Sequence, residues 1–231
     1  MENIKHAAIK ANVQFRDKKS TVVRVKKIRP DSQKVDQIFY VLRNGGVVLI
    51  ATDTVYGLAA LPTNAEAVEK IYALKKRPRN MFLPVMVANM HDLELLGLDI
   101  NTNARKFFKS DLVPGAITFV LGFKDDTLKP DWLATREEIA TRIPDNTLLL
   151  SLLKETGPLL VTSANINGQS VTQAKVQDIL AELNGVPDLI IEDGEGKEVP
   201  STIINFRFDP PVIERYGLIP VHVIDNILTN E

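Results

Sequence analysis

Apolar residues recur along the chain with two alternating periods. Val35, Ile38, Phe39 and Leu42 fall at i, i+3, i+4 and i+7 behind Ser32, the spacing of one buried helical stripe with a capping residue at its start. Gly45-Gly46 ends that pattern. Val47–Ala51 follows as an unbroken apolar run and predicts a buried strand. Thr63 and Glu66 have capping-box spacing and open a second helix, with Val68, Ile71 and Tyr72 on one face. Strands are predicted at Leu83–Val87, Ile117–Leu121, Ile139–Ile143, Leu159–Thr162, Leu189–Ile191, Thr202–Phe206 and Val212–Tyr216. Helices are predicted at His91–Leu96, Thr102–Ser110, Thr147–Glu155 (ended by Gly157-Pro158) and Thr172–Leu183.

Alternating strands and helices predict a single α/β domain with a mixed, twisted sheet. No repeat, low-complexity tract or linker divides it. We place the domain at residues 21–224, a floppy basic extension at 1–20 and a tail at 225–231. The run Asp193–Lys197, rich in glycine and acids, reads as a solvated turn without EF-hand spacing.

Composition narrows the chemistry. The 231 residues are 45% hydrophobic and 25% charged, which excludes a disordered, collagen-like or coiled-coil chain. Without cysteine there is no disulfide, thiolate metal site or cysteine nucleophile. His6, His91 and His222 are scattered, so a histidine zinc site is not expected. The apolar runs are too short to span a bilayer and the start lacks the apolar core of a signal peptide, so the expected location is the cytoplasm. The net charge of −1 is unevenly placed: residues 1–29 carry +7 and the remainder −8. A basic arm on an acidic body suits either a solvated tail or a weak nucleic-acid contact.

Small polar or cationic residues directly follow three of the apolar strands. Val47–Ala51 runs into Thr52-Asp-Thr-Val-Tyr-Gly57, Leu159–Val161 into Thr162-Ser-Ala-Asn165, and Ile139–Thr141 into Arg142-Ile-Pro144. The carboxyl ends of strands are where α/β sheets bind ligands. Lys75 continues the buried stripe of Val68, Ile71 and Tyr72, so it points to the core side of its helix end. Pro78 ends that helix and biases Arg77 towards an extended backbone. Lys75 and Arg77 either converge on one anion, which arginine grips bidentately, or simply favour the helix dipole; spacing alone leaves both open. There is no Walker loop, GxGxxG or GxSxG. Ser163 lacks the glycine frame of a nucleophile elbow. For Asp53 and Asp145, capping or turn roles are expected over catalysis.

At these residues the sequence resembles the YrdC-like threonylcarbamoyl-AMP synthase family. Seven ordered segments carry the resemblance: Ala51-Thr-Asp-Thr-Val-Tyr-Gly-Leu-Ala59, Lys75-Lys-Arg-Pro78, Pro114-Gly-Ala-Ile-Thr118, Arg142-Ile-Pro144, Ser163-Ala-Asn-Ile-Asn-Gly168, Pro200-Ser-Thr-Ile-Ile204 and Arg215-Tyr-Gly217. The resemblance implies a twisted mixed sheet with flanking helices around a deep basic cavity. It implies a nucleotidyltransferase that takes ATP, L-threonine and bicarbonate to threonylcarbamoyl-AMP and pyrophosphate, with Mg²⁺ on the polyphosphate. The product would pass to a tRNA threonylcarbamoyl transferase system that makes t6A37. Carried over, the threonine contacts would be Thr54, Tyr56, Arg142, Ser163 and Ser201. The ATP contacts would be Lys75, Arg77, Asn165 and Arg215, and the catalytic set Lys75, Arg77, Ser163 and Asn165.

Some positions depart from the family. Ala51 and Asp53 replace a proline and a glutamate, Asn167 replaces a serine, and Met86 stands where many relatives have histidine. Longer members add a C-terminal domain. The alternatives are a paralogue that keeps the fold without the activity, and an RNA- or ribosome-binding module using the basic cavity. The acidic body and the 6% aromatic content argue against the binding module.

Overall fold

The computed structural model describes residues 13–16, 20–24, 32–124, 129–168, 173–192 and 196–229. Among them the chain forms one α/β unit on a single mixed sheet. Its strands are β1 (Val13–Arg16), β2 (Ser20–Arg24), β3 (Val48–Ile50), β4 (Gly57–Ala60), β5 (Val85–Met86) and β6 (Ile117–Gly122). The remainder are β7 (Glu138–Arg142), β8 (Leu159–Ser163), β9 (Leu189–Glu192), β10 (Thr202–Asn205) and β11 (Val212–Arg215). The spatial order is β1-β2-β9-β3-β4-β8-β5-β7-β6-β10-β11. The helices are α1 (Ser32–Arg43), α2 (Ala65–Lys75), α3 (Met90–Leu95), α4 (Thr102–Phe108), α5 (Thr147–Thr156), α6 (Val176–Glu182) and α7 (Val221–Thr229).

Side chains alternate across each strand, and the central strands β3, β4, β6 and β8 are buried on both faces. Val48 and Ile50 join a core with Val35, Ile38 and Leu42 of α1 and Leu148, Leu149, Leu152 and Leu153 of α5. Leu49, between them, joins the larger core on the opposite face with Ile71, Tyr72, Phe107, Phe119 and Ile179. This two-sided burial explains why the central strands read as continuous apolar runs.

The predicted elements recur with shifted ends, and four expectations change. Asn64, not Thr63, caps α2: its side chain accepts from Ala67 N at 3.0 Å. The strand β4 was hidden by its small residues, Gly-Leu-Ala-Ala; a Cβ on Gly57 would come within 2.8 Å of Val161 Cγ1, so β4 lies close against β8 because its first residue has no side chain. Helix α6 starts at Val176, while Thr172 lies outside the described residues. Both domain limits cut through elements. The line at 20/21 falls in β2, which pairs with β1 and runs parallel to β9. The line at 224/225 falls in α7, whose Ile224 is buried and whose Leu228 carbonyl accepts from Lys106 Nζ at 3.1 Å. Residues 193–195 of the acidic turn lie outside the described residues.

Candidate active site

Several segments meet at one cleft of about 200 Å³. The β3–β4 turn brings Thr52, Thr54 and Tyr56, the segment after α2 brings Arg77 and Phe82, and β7 ends in Arg142. Strand β8 ends in Thr162 and Ser163, and β10 and β11 contribute Ser201 and Arg215 from their start and end. Thr118 of β6, named in no sequence-based role, faces the same space beside Ser201, their hydroxyls 2.7 Å apart.

Arg142 is 5% exposed and held on three sides. Nε donates to Gly115 O at 2.8 Å and Nη1 to Thr54 Oγ1 at 2.8 Å. Nη2 lies 2.7 Å from Asp53 Oδ2 as an ion pair, yet no aligned hydrogen bond satisfies it. Burial pushes the guanidinium below the ordinary arginine value, and the Asp53 charge opposes that. Asp53 is therefore the counter-ion of Arg142 rather than a cap. Asp145 is exposed and outside the cleft lining.

Arg215 sits at the rim, Nη2 donating to Ser201 O at 2.9 Å and to Ser201 Oγ at 3.1 Å. Desolvation lowers its pKa, and so does the neighbouring charge of Arg142. Gly217 explains the third residue of that segment: a Cβ there would meet Ser201 C at 2.4 Å and Pro200 O at 2.5 Å. The bare backbone of residue 217 thus presses the Pro200-Ser201 turn into the cleft. Gly196 does the same for Tyr56, since its Cβ would stand 2.8 Å from the Tyr56 ring.

Helix α2 ends on Lys76 in the left-handed conformation, φ 47°, which turns Arg77 out of the helix. Arg77 Nε donates to Met81 O at 2.9 Å and Nη2 to Phe82 O at 3.0 Å, so the guanidinium is fixed along the cleft wall. Lys75 goes the other way, as its stripe position predicts, and is 2% exposed. Its Nζ donates to Ser163 O, to Asn165 O at 2.6 Å and to Asn165 Oδ1 at 3.2 Å. Burial, then the Arg77 charge, lowers its pKa from 10.5 to about 7. Ser163 Oγ donates to Asn165 Oδ1 at 2.6 Å, and Asn167 N to Lys75 O at 2.9 Å. Spacing left open whether Lys75 joins Arg77 on one anion; in the fold its ammonium bonds the turn after β8. Lys75 and Asn165 are outside the cleft lining, with Nζ within hydrogen-bond reach of three oxygens of the turn after β8.

A family model described as "Telomere recombination", Sua5/YciO/YrdC, matches residues 40–217. The chain belongs to the Sua5/YciO/YrdC family. It is 36% identical to a threonylcarbamoyl-AMP synthase of Bacillus subtilis over 197 residues, 84% of this chain and 56% of that protein. It thus spans little more than half the length of that relative. Its fold matches the crystal structure of P. abyssi Sua5 complexed with L-threonine, with a TM-score of 0.79 and 28% identity, over 90% of this chain and 61% of that one. The E. coli YciO structure matches with a TM-score of 0.77 and 27% identity, over 87% of this chain and 98% of that one. The twisted mixed sheet expected of the family is the fold found. Among the described residues no helix is long and apolar enough to cross a membrane.

Of the residues named from sequence, Thr54, Tyr56, Arg77, Arg142, Ser163, Ser201 and Arg215 line one cleft. Sequence reasoning missed Thr118 and the pairing of Asp53. Thr118 was visible as the last residue of Pro114-Gly-Ala-Ile-Thr118, while nothing in the sequence ties Asp53 to Arg142, 89 positions away.

Proposed function

We propose that this chain is an L-threonylcarbamoyladenylate synthase, forming threonylcarbamoyl-AMP and pyrophosphate from ATP, L-threonine and bicarbonate. The observation that carries the reading is Arg142: a nearly buried guanidinium that lines a cleft rimmed by hydroxyls. A ligand carboxylate in that cleft answers the charge of the guanidinium, and Thr54, Thr118, Ser163 and Ser201 offer partners for a ligand hydroxyl. The relatives named as synthases, and the neighbour solved with L-threonine, support the same assignment.

The neutral threonine amine attacks the carbon of bicarbonate, and as the C–N bond forms the C–OH bond breaks and the hydroxide leaves as water with an amine proton, giving the carbamate. A carbamate oxygen then attacks the α-phosphorus, and the bond to pyrophosphate breaks. Arg77 and Arg215, one on each side of the cleft, answer the charge on the phosphates, so catalysis is positioning and electrostatics. Lys75 and Asn165 act by fixing the turn that presents Ser163. Tyr56 closes the pocket wall. Among the described residues no cluster of three potential metal ligands occurs, and Asp53 is committed to Arg142. Mg²⁺ therefore arrives on the polyphosphate, as part of the substrate.

The reaction belongs in the cytoplasm, with the product passed to a tRNA threonylcarbamoyl transferase for t6A. The basic residues at 1–29 would make any weak tRNA contact; of these only 13–16 and 20–24 are described. One observation favours a second reading, a paralogue with other chemistry: Met86 lines the cleft where many synthases carry histidine. Pyrophosphate release separates the two. A synthase releases it only when ATP, bicarbonate and threonine are all present; release indifferent to threonine favours the paralogue.

A further inference from the structure

We propose that Asp53 is a positioning residue for substrate carboxylate binding, acting through Arg142 without touching the substrate. The inference rests on the synthase reading. Asp53 is outside the cleft lining, and its side chain is 11% exposed against 5% for Arg142, so the ion pair is almost closed to water. The guanidinium is tied at Nε to Gly115 O and at Nη1 to Thr54 Oγ1. Both of those acceptors are neutral. Asp53 is the one acid in ion-pair contact with Arg142 among the described residues.

Two opposite effects of Asp53 can be weighed. Its charge partly cancels that of Arg142 and so weakens the pull on an incoming anion. It also keeps a nearly buried cation in place, and a buried charge without its counter-ion reorients towards water or recruits it. The second effect dominates because the direction of the remaining N–H groups of Arg142 depends on the plane of the guanidinium, which Asp53 helps to hold. Arg215 and Arg77 already give the cleft an excess of positive charge, so attraction is not what limits binding. Asp53 sets the aim and leaves the nucleotide side untouched.

The test is steady-state kinetics together with equilibrium dialysis of radiolabelled threonine, on Asp53→Asn, Asp53→Ser and Asp53→Glu. In Asp53→Asn the threonine KM and dissociation constant rise at least tenfold, while the ATP KM and kcat at saturating threonine stay within threefold. Asp53→Ser gives the same split and replaces Asp53→Asn if that variant does not fold. Asp53→Glu, which keeps the charge, stays within threefold of the unaltered protein on all four measures. Unchanged or tighter threonine binding in the neutral variants overturns the proposal, as does a loss shared equally by threonine and ATP. Failure of the unaltered protein to bind threonine overturns the synthase reading and this proposal with it. Threonine binding by the unaltered protein that persists undiminished in Asp53→Asn overturns this proposal alone.

Discussion

Lys75 Nζ donates to both the backbone and the side-chain oxygen of Asn165, at 2.6 and 3.2 Å. The pairing joins the end of α2 to the turn after β8, 90 residues further along the chain. Ser163 O is the third acceptor of the same ammonium. These contacts staple the turn that presents Ser163. Removing it leaves buried carbonyl oxygens without a donor, at about 1–3 kcal/mol each. Lys75→Ala should therefore lower the thermal midpoint clearly and cut threonine-dependent turnover with it. Lys76→Ala, whose side chain is exposed, should change neither. Equal effects of the two in thermal denaturation would contradict the assignment.

The same lysine gives the protein a pH signature. Its pKa is about 7 in the fold against an ordinary 10.5. Between those values the unfolded chain holds a proton that the folded chain has released, so stability rises with pH across that window. Below about 7 both states are protonated and the slope vanishes. Chemical denaturation from pH 6 to 10 should show this rise in the unaltered protein and lack it in Lys75→Met.

Arg142 and the hydroxyl rim predict substrate selectivity. A site that hydrogen-bonds a substrate hydroxyl rejects the analogue lacking it by a large factor, because its own polar groups are then left unpaired. Pyrophosphate release should be on the order of 10³-fold or more slower with 2-aminobutyrate than with threonine in kcat/KM. Similar rates would remove the hydroxyl-reading role of Thr54, Thr118, Ser163 and Ser201.

Gly217 should tolerate no side chain. The Cβ of Gly217→Ala would lie 2.4–2.5 Å from the Pro200-Ser201 backbone, which must move. Overpacking of this kind costs about 1–3 kcal/mol. Because Arg215 grips Ser201 O from the same strand end, the shift should also raise the KM for ATP. Thermal midpoint and KM together check it; an unaffected KM would separate Gly217 from the site.

The central strands were legible because they are buried on both faces and spell apolar runs, whereas β1 and β2 were not predicted. β4 was not, since its glycine and alanines trade β propensity for close packing on β8. The direction of Lys75 followed from helical spacing, but its partners did not: Ser163 and Asn165 approach only once β8 is laid antiparallel to β4. The role of Asp53 was misread for the same reason. A carboxylate in a Thr-Asp-Thr turn looks like a cap, and the guanidinium that claims it comes from β7. Helix α7 was missed although Val221, Ile224 and Leu228 have helical spacing; its Ile224 and Leu228 join the core beside α4.

The central claim is that one cleft joins threonine, bicarbonate and the adenylyl group of ATP. Mass detection of the product formed with ¹³C-labelled bicarbonate tests it most directly. The account predicts an adenylate that carries both threonine and the labelled carbon, formed together with pyrophosphate and missing from reactions with Arg142→Ala. Pyrophosphate release without that adenylate, or an adenylate that lacks the label, would contradict it.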